Sequence, residues 1–318
     1  MIITVTLNPA MDRVLVLDRF RLNVTNRITR QFDCVGGKGT HVSINLSMLG
    51  VRSRAVGVVM GGVGRDILAS LRAMNIDVRF LELPEGNSRI NFVLVDGEHN
   101  CTLISEKGQR MSDTVIENLL SLYTSLVAEG DIVVISGDAS NQSGTVLQDT
   151  LMDIAGAKKA AVCLDASGDN LAAGIRKGPW LIKPNVDELE NILGRTINSE
   201  EKILDGIGEL NSFGIRYIVV SRGGEGSLVY ADGKYFRVTA PDVEVRNTVG
   251  CGDALLAGLL AGFEKGMPVE ANLRQATAAA AAKAMNESTA GFEAGLVAEL
   301  GPKVRVEALT GVRKFHSN

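Results

Sequence analysis

Short runs that are almost wholly apolar recur along this chain, with amphipathic stretches between them. Residues 2–7, 132–137, 160–165, 180–185 and 217–221 are of the first kind. Residues 115–128 and 200–213 are of the second. A strand covered on both faces reads as near-continuous apolarity, so this alternation predicts a parallel sheet flanked by helices. Two regions keep a different rhythm. Residues near 13–35 and 89–104 alternate apolar with polar, as strands with one wet face do. Segments 89–95 and 100–104, split by Asp96-Gly97-Glu98-His99, predict a hairpin. The expected fold class is α/β: a mostly parallel central sheet with helices, and a small antiparallel β-sheet lid whose strands fall within about 12–36 and 88–106. Neither a linker composition nor an internal repeat divides the chain, so it reads as one domain, 1–318.

Composition narrows this picture. Hydrophobic residues make up 45% of the 318 positions and aromatics 4%, so the core must be built of Val, Ile, Leu and Ala. The formal net charge is -4 and no basic block occurs, which argues against a nucleic-acid partner. Four cysteines without a C-x-x-C pair, and three histidines, suggest neither a structural zinc site nor a disulfide framework. No stretch approaches the ~20 apolar residues that span a bilayer. The first residues lack the pattern of a signal peptide. The expected setting is cytoplasmic, with no membrane.

In parallel sheets ligands bind beyond the carboxyl ends of strands, and Asp165, Asn185 and Ser221 stand at such ends. The segment Asn247-Thr248-Val249-Gly250-Cys251-Gly252-Asp253-Ala254-Leu255-Leu256-Ala257-Gly258 carries the sharpest chemistry. Its glycines permit a tight turn, and a small, apolar, helix-forming run follows. The free N–H groups of that first turn and the positive end of the helix dipole make an anion site at Gly250, Cys251 and Gly252. An aspartate beside a phosphate repels it. Asp253 makes sense there as the base that takes a proton from an attacking hydroxyl. An N-cap Asp after a Gly-rich turn is the plain alternative. Cys251 reads as a small space-filler rather than a nucleophile.

Other motifs are weaker singly. Gly36-Gly37-Lys38-Gly39 precedes a helical run at 42–49 and can gather an anion, though its spacing is not that of a P-loop. Asp12 follows the first strand, either to accept bonds from sugar hydroxyls or simply as a turn residue. Asn185 and Glu188 suit either a capping box or Mg²⁺ ordered through waters. Ser221-Arg222-Gly223-Gly224-Glu225-Gly226-Ser227 is a Gly-rich turn at a strand end, open to a nucleotide or merely tight. Arg89 starts the hairpin, as a phosphate clamp or a surface cation.

In this order the motifs resemble the phosphofructokinase-B branch of the ribokinase-like sugar kinases, over nearly the whole chain. The subgroup with Leu-Asn-Pro-Ala-x-Asp and Gly-Gly-Lys-Gly looks like 1-phosphofructokinases and tagatose-6-phosphate kinases. The resemblance implies ATP-dependent phosphorylation of a ketose phosphate, fructose 1-phosphate or tagatose 6-phosphate, with Asp253 as base. It implies that Asp12, Gly37, Lys38, His41 and Arg89 contact the sugar phosphate, helped by Arg27 and Asn91. Lys183, Asn185, Ser221, Gly223, Gly224 and Gly226 would line the nucleotide path. Thr277, Ala281 and Asn286 would border adenine, and Glu188 would place Mg²⁺ through water. The lid would suit a homodimer. Three departures stand out: His41 replaces a common Asn, Asp138 brings a carboxylate into a loop that commonly reads Ser-Gly-Ser-Leu-Pro-x-Gly, and Cys251 replaces a usual Ala. The first two leave room for a kinase of an unphosphorylated sugar or nucleoside. A non-catalytic sugar or nucleotide sensor is the alternative from another class. A dinucleotide oxidoreductase is set aside, because no G-x-G-x-x-G follows the first strand.

Overall fold

The computed structural model describes residues 1–98, 100–137, 142 and 145–312. The chain opens with β1 (Ile2–Thr6), leaves for β2 (Ala10–Val16) and β3 (Arg30–Gly36), and returns through α1 (Lys38–Met48) to β4 (Ser53–Met60). Then come α2 (Gly61–Ala73), β5 (Asp77–Leu83), and a second excursion, β6 (Arg89–Val95) and β7 (Cys101–Ser105). The βα rhythm continues with α3 (Asp113–Leu126), β8 (Ile132–Ser136), α4 (Val146–Ala157), β9 (Ala161–Asp165), α5 (Gly168–Ile175) and β10 (Leu181–Ile182). It ends with α6 (Val186–Leu193), α7 (Glu200–Asn211), β11 (Tyr217–Ser221), β12 (Ser227–Ala231), β13 (Lys234–Thr239), α8 (Cys251–Glu264), α9 (Val269–Ala284), α10 (Ala294–Leu300) and β14 (Arg305–Leu309).

Among the described residues the main sheet has ten strands in the order β14-β13-β12-β11-β10-β9-β8-β1-β4-β5. The seven from β11 to β5 pair in parallel, and β12 to β14 add antiparallel edge strands. Every residue of β1 is buried, Thr4 and Thr6 included, as a strand covered on both faces requires. Ile3 and Val5 face a core with Leu119, Tyr123, Leu151 and Ile207 of α3, α4 and α7. Ile2 faces the opposite core, with Val42, Leu46 and the apolar positions of α8 and α9. The predicted helices and strands are present, with shifted ends: the first helix starts at Lys38, inside the glycine motif, and the strand expected at 180–185 is only Leu181–Ile182.

The lid is a four-stranded sheet, β3-β2-β6-β7. The predicted hairpin is β6-β7. The sheet is mixed rather than antiparallel, because β2 and β6 pair in parallel. Both strands begin where the chain leaves the same carboxyl edge of the main sheet, so they run the same way. Leu22, Val24, Ile28, Leu103 and Ile104 are exposed on the lid and its loop, the apolar surface that the expected pairing of two copies would use. No helix among the described residues is long and apolar enough to cross a membrane.

The alanine run of α9 has a packing reason. A Cβ at Gly258 of α8 would lie 2.5 Å from the Cα of Ala276, so the two backbones touch where side chains are smallest. In an open helix Gly→Ala stabilises by about 1 kcal/mol. Here the sign should reverse: Gly258→Ala is expected to destabilise by ~1–3 kcal/mol, because it forces α8 from α9. Urea unfolding reads this directly, and an unchanged or raised midpoint would contradict the packing account.

Candidate active site

One cavity of about 790 Å³ opens at the carboxyl edge of the parallel strands, between the main sheet and the lid. That is the size range of ligand pockets. The first turn of α8 lies on it. Gly250 caps the helix with φ of 83°, a conformation that disfavours any side chain, and a Cβ there would meet the Thr289 carbonyl at 1.9 Å. Gly250 therefore seats α8 on the loop after α9. The N–H groups of Gly250, Gly252 and Asp253 have no protein acceptor among the described residues, while Cys251 N–H reaches Thr248 O at 3.3 Å. Free N–H groups in this arrangement suit an anion. The Lys183 ammonium stands against it, 3.0 Å from where a Cβ at Gly252 would be. Cys251 borders the cavity as a neutral thiol, its ionisation pushed up by burial.

On the lid side, Asp12 is 2% exposed and its Oδ1 accepts from Asn91 Nδ2 at 2.7 Å. The two residues are register partners across β2 and β6. Burial opposes the Asp12 charge, but bonds from His41, Thr289 and Asn91 outweigh it and lower its pKa. Arg89 is buried and already engaged. Its Nε donates to Asn8 O at 3.1 Å, and its Nη1 donates to Ser105 Oγ at 2.9 Å and Glu106 O at 3.1 Å. It braces the end of β1 against β7 while bordering the cavity.

Lys38 Nζ lies 3.2 Å from Asp165 Oδ1, and Lys183 Nζ lies 3.6 Å from the same oxygen. Burial disfavours the Lys38 ammonium, yet Asp165, Asp253 and Glu188 raise its pKa. Asp165 is pulled down by both lysines against the cost of burial. It was legible only as the polar end of an apolar strand, and its part in ordering both lysines comes from the fold. Its Oδ2 has no hydrogen-bond partner among the described residues, nor do Thr6 Oγ1 and Ser136 Oγ, its neighbours along this edge.

His41 is where expectation and structure differ most. It lines the cavity, but both ring nitrogens are committed to protein groups. Nδ1 lies 2.7 Å from Asp253 Oδ2, and Nε2 lies 3.1 Å from Val35 O, 3.3 Å from Thr289 Oγ1 and 3.4 Å from Asp12 Oδ2. Neither nitrogen is left for a sugar hydroxyl. Burial alone would lower its pKa, but Asp12 and Asp253 overcome that and push it up to about 10.

Loops make another wall of the cavity. Asn185 bridges to Ser221, and a short turn, Gly223–Glu225, carries the glycines along the cavity with Gly226. Asn185 and Glu188 form a reciprocal capping box on α6, with Glu188 on the cavity wall. Thr277 and Ala281 of α9 reach the cavity. Asn286 does not, because its side chain closes the local turn onto Gly291 O and Ser288 N. Arg27 is exposed on the β2–β3 connection and lies outside the cavity. The irregular segment 240–245 supplies Pro241, Val243 and Val245, a wall with no periodic signal to find it by. Asp138 and the departure around it lie outside the described residues, apart from Gly137 and Gln142.

A family model described as pfkB family carbohydrate kinase matches residues 6–293. The 1-phosphofructokinase of Bacillus subtilis is 35% identical over 312 residues, 97% of this chain and 100% of that protein. The tagatose-6-phosphate kinase of Staphylococcus epidermidis is 31% identical over 292 residues, covering 91% and 94%. The fold matches phosphofructokinase-2 of Escherichia coli, solved with substrates and products, with a TM-score of 0.88 at 22% identity over 95% and 98% of the two chains.

The His41 environment carries a pH signature in stability. An ordinary imidazole releases its proton near 6.5, and the two carboxylates push this one up to about 10. The folded chain thus holds a proton that the unfolded chain releases between these values. The His41 contribution is complete below pH 6.5 and is lost as pH rises to about 10. Thermal melts should show the stability gap between the natural chain and His41→Asn shrinking across that window. A gap that widens with pH would contradict the assignment.

Proposed function

The chain belongs to the pfkB family of carbohydrate kinases, and on that premise we propose that it transfers the γ-phosphoryl group of ATP to a hydroxyl of a ketose phosphate, fructose 1-phosphate or tagatose 6-phosphate, giving the bisphosphate. The observation that carries this reading is one cavity bordered by a helix N-terminal cradle, by Asp253 in that same turn and by a second set of polar groups, Asp12 and Asn91 on the lid and Lys38 at the start of α1. Asp253 Oδ2 is held by His41, while Oδ1 has no partner among the described residues. Oδ1 takes the proton of the acceptor hydroxyl as its oxygen bonds to the γ-phosphorus. The bond from that phosphorus to the β,γ-bridging oxygen breaks, and ADP leaves with the electron pair. The N–H groups of Gly250 and Gly252, with Lys183, neutralise charge on the moving phosphoryl group.

Magnesium fits as a water-mediated ion. Among the described residues no group of three or more His, Cys, Asp or Glu is placed to hold a metal. Glu188 on the cavity wall would order the waters of an ion carried by the ATP phosphates, whose charge it neutralises. Thr277, Ala281, Val243 and Val245 give an apolar wall for the adenine. Lys38 and Arg89 support a phosphorylated acceptor. The existing bonds of Arg89 favour, as the second reading, an unphosphorylated sugar with Arg89 only bracing the lid.

ADP release from Mg-ATP against fructose 1-phosphate, tagatose 6-phosphate, fructose 6-phosphate and unphosphorylated sugars tests the reading. Turnover confined to a ketose phosphate is expected. Turnover only on unphosphorylated acceptors would move Lys38 and Arg89 out of a phosphate role, and no turnover with ATP still bound would favour a sensor. Asp253→Asn should keep ATP binding and lose ~100-fold or more in kcat. Near-normal turnover in that variant would remove Asp253 as the base.

A further inference from the structure

His41 occupies a place that the phosphoryl-transfer scheme leaves unexplained. It sits on α1, 4% exposed, between Asp12 of β2 and Asp253 of α8. The hydrogen-bond partners define its proton inventory. Val35 O is a carbonyl and can only accept, so Nε2 must carry a hydrogen. Nδ1 stands 2.7 Å from Asp253 Oδ2, the length of a charge-assisted bond from a cationic N–H to a carboxylate. With both nitrogens donating, the ring is an imidazolium.

The charges around it agree. Asp12 and Asp253 are both buried. Two carboxylates in a dry site repel each other unless a cation lies between them. From the other elements packed against the ring, the loop after α9 presents the Thr289 hydroxyl, and β3 brings the Cys34 thiol onto that hydroxyl. On its own helix Lys38 is the nearest cation, and it is paired with Asp165. His41 is thus the cation placed between Asp12 and Asp253. An asparagine would reach only as far as Nδ1 and supply no charge.

We propose that His41 is the positioning residue of the base: its imidazolium clamps Oδ2 of Asp253, leaves Oδ1 turned to the acceptor hydroxyl, and ties that carboxylate through Val35 and Asp12 to the sugar-binding lid. The inference rests on the kinase reading of Asp253. It assigns His41 no contact with the sugar. Specificity then lies with Asp12 and Asn91, and the rate lies with the His41–Asp253 pair. Movement of β2 and β3 on closing over a sugar is transmitted to the base through this one ring.

Two measurements test it. The first needs no change at position 41. The sequence holds three histidines, so His99→Gln with His316→Gln leaves His41 alone for ¹⁵N-histidine NMR. Both ring nitrogens should be protonated from pH 6 to pH 9. A ring with one bare nitrogen at pH 7 overturns the inference. The second is steady-state kinetics of His41→Asn across pH. The expected result is a loss of ~10-fold or more in kcat, with KM for Mg-ATP and for the sugar within about twofold. The decline of natural-chain kcat toward pH 10, where the imidazolium loses its proton, should be absent from the variant. An unchanged kcat, or a loss confined to KM for the sugar, overturns the positioning role. A neutral ring in an active kinase refutes this inference and leaves the kinase reading standing. A doubly protonated ring in a chain that phosphorylates no acceptor refutes both.

Discussion

Seven neighbouring strands run parallel, and every other feature of the site follows from that constraint. Parallel strands deliver all their carboxyl ends to one edge, and each crossover must leave from there. Thr6, Ser136 and Asp165 become neighbours on that edge although they are far apart in the chain. Both excursions that build the lid depart from the same edge, after β1 and after β5. The lid therefore stands over the strand ends, and the cavity lies between the two sheets.

The edge collects charge that has no water to face. Asp165 gathers Lys38 and Lys183, and His41 gathers Asp12 and Asp253. In each cluster the opposite charge outweighs the burial penalty, which is why Asp165 and Asp12 are lowered while Lys38 and His41 are raised. The clusters share a boundary at the first turn of α8, where Lys183 meets Gly252 and His41 meets Asp253. Cations and carboxylates are thus fixed before any ligand arrives, as electrostatic preorganisation requires.

Close backbone approach keeps α8 in that position. Gly258 lets it rest on Ala276 of α9, and Gly250 lets its first turn rest on Thr289. Lys283, fully buried on α9, donates to Asn247 O and ties the two helices at the same end. A helix held at three points on small residues and main-chain oxygens has little freedom to tilt, and the geometry of its N-terminal N–H groups inherits that rigidity.

The sequence by itself determined the parallel sheet, the hairpin of the lid and the free helix N-terminus at Gly250–Gly252. Each is written in a short window: unbroken apolarity for a strand covered on both faces, alternation for a half-wet one, glycines before a helical run for a free N-terminus. The capping box of Asn185 and Glu188 was equally legible, since its partners are three residues apart. Tertiary structure alone decided what His41 touches, because Asp253 lies 212 positions away and reaches it only when α8 packs on α1. It alone made the lid mixed, turned Asn286 into a local turn and left Arg27 outside the cavity. The physical reason is one of range. Periodicity records how a residue sits relative to its own element, whereas the partners of a buried charge depend on the register of elements that no local pattern encodes.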